Sequence, residues 1–287
     1  MQLRILAILI ACSIALAAAI PALAEPGTDA GLQQLVAEYE SDQNAEPIQK
    51  IEQLLRDAVG KPALQAELEA AMVKLLAPTS TFEARRFACQ ILAVVGTDAS
   101  LPALAELLKN DDTAGIACLA LSARRSPKVN ETFRNALTSA HGRRQLQIVG
   151  ALGNHQDPDS VKTLAALAHD ADAAVAETAI IALSKIGTAS AHDAIAALRK
   201  DTKPAQAWAV TEATQRMAEQ LAAAGDRKAA AAIYTELLDS KSPNNVRRGA
   251  LAALLRLDAD GGQQRILDTL RGRDPVLERV EDSLLAA

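Results

Sequence analysis

Three stretches of the chain carry one phrase: Ile91-Leu92-Ala93-Val94-Val95-Gly96, Ile148-Val149-Gly150-Ala151-Leu152-Gly153 and Ala182-Leu183-Ser184-Lys185-Ile186-Gly187. Looser copies end at Arg125, Gly225 and Asp258, so that successive endings lie 29, 28, 34, 38 and 33 residues apart. Repetition at this kind of period marks a stacked architecture rather than one globular core. Before each ending the apolar residues recur at helical spacing, and after it a short turn leads into a second helical stretch, such as Ser100 to Leu108. Each unit is therefore expected to be a helical hairpin. A single hairpin buries one apolar stripe against itself and needs its neighbour to cover the other, which predicts an all-α fold, an α-solenoid of about six helical hairpins. The closing glycines are expected to take the left-handed conformation that ends a helix without steric cost.

Composition agrees. Of 287 residues 62 are Ala and 39 are Leu, and only six are aromatic. Strong helix formers dominate while the residues that favour strands are scarce, which excludes a large β-sandwich. With 30 basic against 35 acidic residues the net charge is −5. This balance lacks the basic footprint of a nucleic-acid binder.

Outward from the repeats, the expected organisation is a signal peptide over 1–24, an N-terminal helical cap over 25–80, the repeat array over 81–271 and a closing helix over 272–287. The cap is read as three helical segments, Asp29 to Glu40, Pro47 to Val59 and Pro62 to Ala77. Residues 1–24 place Arg4 before an apolar stretch from Ile5 to Ile20, then Ala22-Leu23-Ala24 before Glu25, the pattern of a secretory signal cleaved between Ala24 and Glu25. Leu9-Ile10-Ala11-Cys12 offers the alternative of a lipoprotein start at Cys12, against which Ser13 to Ala24 stays apolar. The expected location is periplasmic or secreted, with no membrane span in the mature chain.

The segments Phe87 to Leu104 and Asp170 to Gly187 resemble the helix-turn-helix phrase of HEAT-repeat proteins, particularly the short HEAT-like type of exported bacterial proteins and bilin lyase relatives. The fifth unit, Gln220 to Tyr234, is closer to a tetratricopeptide hairpin. The resemblance implies a non-catalytic scaffold that holds a protein or peptide partner along the array. It leaves as alternative an accessory or lyase-like protein that handles a cofactor for an exported enzyme. Its usual contact surface is the second-helix face, where Glu106, Arg134, Lys162, Asp193 and Arg265 stand between apolar positions and are the expected partner-binding residues.

No catalytic residue, metal ligand or cofactor site is expected. Serines lack a Gly-x-Ser-x-Gly setting and the glycines form no phosphate-cradling loop. His141, His155, His169 and His192 fall within 52 residues, yet none has a second His or a Cys at ligand spacing, and solvent-facing positions are expected for the three in loops and turns. His192 stands at an apolar position of its unit. Cys89 and Cys118 share one register in successive units and are read as buried small residues, with a disulfide as the alternative. Arg86, Arg143 and Arg248 share another, which Glu177 breaks, and are expected to tie neighbouring units through acidic partners. Trp208 is expected to pack beneath the fifth unit rather than to anchor a partner.

If the signal is processed as read, the intact mass of the exported protein corresponds to a chain starting at Glu25. A mass matching a lipidated start at Cys12 would replace that reading.

Overall fold

The computed structural model describes residues 36, 37, 39, 46–238 and 242–257. Every regular element among them is helical. The signal segment, the closing helix and most of the first expected cap segment lie outside these residues. The chain divides into two compact units, Met1–Leu104 and Ala105–Ala287.

In the first unit, α1 (Glu46–Asp57) and α2 (Pro62–Leu75) fall where the cap helices are expected, and α2 packs on α3 (Phe82–Val95). Pro62 opens α2 in the first turn, where its missing N–H leaves no bond unmade. Thr81 caps α3 by accepting from the Ala84 N–H. After α3 a short 3-10 turn, Asp98–Ser100, leads to α4 (Leu101–Leu107), the helix through which the division between the units runs. Glu69, a buried carboxylate of α2, accepts from the Thr97 N–H at 2.7 Å, the Thr97 hydroxyl at 2.9 Å and the Ser100 N–H at 3.1 Å. Those donors are orphaned where the chain enters α4, and one anionic acceptor satisfies three of them.

The second unit is a run of hairpins. These are α5 (Ala114–Ser122) with α6 (Pro127–Leu137), α7 (Gly142–His155) with α8 (Val161–Leu167), α9 (Ala173–Ile186) with α10 (Ala189–Lys200), and α11 (Ala207–Ala223) with α12 (Arg227–Leu237). One more helix, α13 (Asn244–Leu257), ends the described residues. First helices stack in order: α9 packs on α7 before it and α11 after it, and α12 packs on α11 and α13. The fold is an α-solenoid. Its core is the repeated phrase, with Ile148, Leu152, Ile180 and Leu183 fully buried. Cys89 and Cys118 are buried free thiols, not a disulfide, and burial pushes each up to about 12, so neither is a reactive thiolate near neutral pH.

Two expectations about the repeat need correction. Gly187 (φ +66°) and Gly225 (φ +89°) are left-handed helix ends as expected, but Gly96 has φ −60° and Gly153 lies within α7, which closes instead on left-handed Gln156. Gly153 is required by proximity. A Cβ there would lie 2.6 Å from the Ala182 Cα of the neighbouring helix. The arginine ties also differ in register, and Arg144 keeps a cross-hairpin acidic partner, Asp111 at 3.4 Å. Arg86 pairs with Glu83 on its own helix, while Arg143 and Arg248 are exposed. The ties come from Arg144, which donates to the carbonyls of Lys109 and Ser139, and from Arg247, which donates to that of Leu238 at 3.1 Å.

Glutamine amides complete this pattern. Gln206 donates to the Ala168 carbonyl at 2.8 Å, Gln156 to that of Lys185 and Gln220 to that of Ser184, each at 2.9 Å. All of these carbonyls lie at or just beyond helix C-termini, where the last turn has no intrahelical donor. A neutral amide reaches them from another hairpin without carrying a charge out of water, whereas an arginine–carboxylate tie would desolvate two.

Gly153→Ala should therefore lower stability by about 1–3 kcal/mol through overpacking. Gly150→Ala, one turn earlier with open space around the added methyl, should raise it by about 0.5–1 kcal/mol through helix propensity. Thermal melts read the two signs, and hydrogen exchange should show the Gly153→Ala loss reaching α9 as well as α7.

Candidate partner surface

The expected second-helix contacts do not form one charged row. Lys162 on α8 and Asp193 on α10 are exposed and carry opposite signs. Glu106 on α4 is exposed and paired with Lys109 at 2.7 Å, a bond within its own helix end. Arg134 is half-buried rather than free. Its Nη1 donates at 2.7 Å to both carboxylate oxygens of Asp157 and stands 3.4 Å from Asp159. Arg265 lies outside the described residues.

Asp157 explains the commitment of Arg134. It is only 2% exposed, in the turn between α7 and α8, and also accepts from the Asn130 amide at 3.2 Å. A carboxylate so far from water needs a cation and further donors, and α6 supplies both from one face. Asn130 then uses its oxygen on His155 Nδ1 at 2.8 Å, which assigns the proton to Nδ1 and leaves Nε2 buried without a hydrogen-bond partner. The imidazole meets the Phe133 ring edge to face, with centroids 5.3 Å apart.

His155 is therefore a buried core residue, 7% exposed, and not the solvent-facing histidine that its turn position suggests. Burial holds it below the usual histidine range, with the Arg125 guanidinium acting in the same direction and Asp157 opposing. Of the other three, His141 and His169 are exposed as expected. His192 is half-buried and bonded at 3.0 Å to the same Gln220 that ties α11 to α9. No group of three potential metal ligands occurs among the described residues.

Trp208 reverses its expectation. It is 66% exposed on α11. Ala209, Val210, Ala213, Thr214 and Met217 form the buried stripe of that helix, which turns Trp208, Thr211, Glu212 and Gln215 to the opposite side at the i, i+3, i+4, i+7 spacing. Pro204 and the 3-10 turn Pro204–Gln206 set this phase, with Gln206 buried and bonded to Ala168. The indole stands between two grooves. One, of about 210 Å³, is lined by Gly150, Glu177, Ile181 and Lys185 of α7 and α9. The other, of about 790 Å³, runs along α11 toward the start of α13. Phe82, Val94 and Leu119, further exposed large apolar residues, also lie on first helices. The helical phase of residues 207–223 was the sequence signal for an outward Trp208.

With this geometry in view, comparison with known proteins identifies the repeat. Residues 130–215 match the family model for HEAT repeats. HEAT repeats mediate protein–protein contacts, typically as non-enzymatic scaffolds. An engineered protein with a crystal structure from the Northeast Structural Genomics Consortium is similar at 20% identity, over 80% of this chain and 97% of that one, with a TM-score of 0.32. No curated protein matches. Among the described residues no helix is long and apolar enough to cross a membrane.

The buried cluster makes two outcomes measurable. Removing Arg134 as Arg134→Ala leaves Asp157 uncompensated and should cost about 2–3 kcal/mol, against less than about 0.5 kcal/mol for Lys162→Ala in denaturant unfolding. Because the folded state lowers the affinity of His155 for its proton, the stability it contributes is present above about pH 6.5 and lost as pH falls below that value. The drop in Tm from pH 7 to pH 5 should accordingly shrink in His155→Gln.

Proposed function

We propose that this chain is a non-catalytic interaction scaffold of the bacterial envelope, exported with loss of residues 1–24 and holding a protein or peptide partner along its repeat array. The export half rests on Arg4, the apolar stretch and Ala22-Leu23-Ala24 before Glu25. The binding half is supported by the HEAT repeats over 130–215 and carried by one observation: the chain's single Trp is presented to solvent on a helix that buries Ala209, Val210, Ala213, Met217 and Ala218. A large exposed aromatic ring surrounded by polar side chains is the kind of residue on which binding energy concentrates.

Label transfer in the native host tests the reading. A photoreactive side chain is placed singly at Lys162, on a second helix, and at Thr211, on a first helix. Irradiation should join the periplasmic or secreted protein to a discrete polypeptide from at least one position, and should do so in the mature form. Absence of any adduct from both positions would overturn the scaffold reading. Recovery of the protein only in the cytoplasm would overturn the envelope assignment.

A further inference from the structure

The larger groove beside Trp208 has a composition that selects an occupant. Its charged side chains are already paired: Arg199 with Glu236 of α12, and Glu212 with Arg216 one turn along α11 at 3.5 Å. Its threonine hydroxyls are also taken, Thr202 donating to the Leu198 carbonyl at 3.0 Å and Thr211 to that of Ala207 at 2.7 Å. What remains for a ligand is the exposed indole, an apolar floor at Val246, the Ser242 hydroxyl and two amides, Gln215 of α11 and Asn245 of α13. Neither amide has a hydrogen-bond partner among the described residues, in contrast to Gln156, Gln206 and Gln220, which all tie hairpins together.

Each primary amide presents a donor and an acceptor side by side, which matches the N–H and C=O of an extended backbone. The seven steps from Trp208 to Gln215 rise roughly 10 Å along the helix, the length of about three residues of extended chain. A groove whose charges cancel disfavours a charged occupant, since an unmatched ion would lose its hydration without a counter-charge.

We propose that the groove along α11 and the start of α13 binds an uncharged extended peptide stretch of about three residues, with Gln215 and Asn245 on its backbone and an apolar side chain on the Trp208 indole. This places the contact on the first-helix side of the array, not at the second-helix positions Lys162 and Asp193. It rests on the interaction-scaffold reading and names the partner chemistry. The hydrogen bonds give affinity with little sequence preference, and the indole gives the preference.

The probe is a library of capped pentapeptides of mixed charge, selected on the wild-type protein and counter-selected on Trp208→Ala. Enriched sequences should be uncharged and carry an apolar residue. The fluorescence of Trp208, the chain's single Trp, should shift to shorter wavelength as the selected peptide saturates the groove. Gln215→Ala and Asn245→Ala should each weaken binding about fivefold while the indole reporter remains, and placing Asp in the peptide should weaken it at least tenfold. Raised salt should leave the uncharged peptide's affinity unchanged.

Enrichment of charged peptides, indifference to both amide substitutions, or a saturable response to a chitin oligosaccharide and none to peptide would each overturn the proposal. If the library yields nothing while label transfer from Lys162 still captures a polypeptide, the groove assignment falls and the scaffold reading stands. Failure of both the library and label transfer removes the two together.

Discussion

Helices of seven to seventeen residues leave many of their carbonyls in the last turn, and a stack of hairpins brings those ends against one another. The structure depends on how these orphan acceptors are met at the same time as the shared apolar faces are buried. The answer is mostly a long neutral side chain from another hairpin: Gln206 to Ala168, Gln156 to Lys185, Gln220 to Ser184. Arg144 and Arg247 do the same with a guanidinium. Such bonds favour one offset between successive hairpins, and that offset brings Gly153 against Ala182 and Leu183 into full burial.

Where an ion is buried, it is surrounded. Glu69 gathers three donors at the entrance to α4. Asp157 gathers Arg134 and Asn130, and through Asn130 it orients a neutral His155 against Phe133. These constellations resemble active-site arrangements in their residue types, yet every distance in them closes a turn onto a helix. Their chemistry is positional. The consequence for function is that the polar side chains with freedom to meet a partner are those left over after the ties are made, and in the larger groove beside Trp208 these are amides and a hydroxyl rather than charges.

The placement of Trp208 links packing to recognition. The 3-10 turn that Pro204 opens, pinned by Gln206, leads into α11, and the buried stripe of Ala209, Val210, Ala213 and Met217 leaves the ring on the other side. A scaffold built largely of Ala and Leu has few other residues able to concentrate contact energy. Within the second unit Leu119, on α5, is the other large apolar side chain that a first helix leaves exposed.

The repeated phrase by itself determined the class, the hairpin unit and the burial of Leu183, because helical periodicity and closing residues are local properties written within about a dozen positions. The helices that begin near Pro47 and Pro62 and the burial of the two cysteines were legible for the same reason. Tertiary structure alone decided which glycine serves conformation and which serves contact, since Gly153 answers to a helix 29 residues away. It likewise moved the inter-unit ties from Arg143 and Arg248 to Arg144, Arg247 and the glutamines. A side chain one position along a helix points about 100° away, and the neighbour it meets is set by the stacking offset. His155 went from turn to core because α6, distant by 25 residues, folds over it.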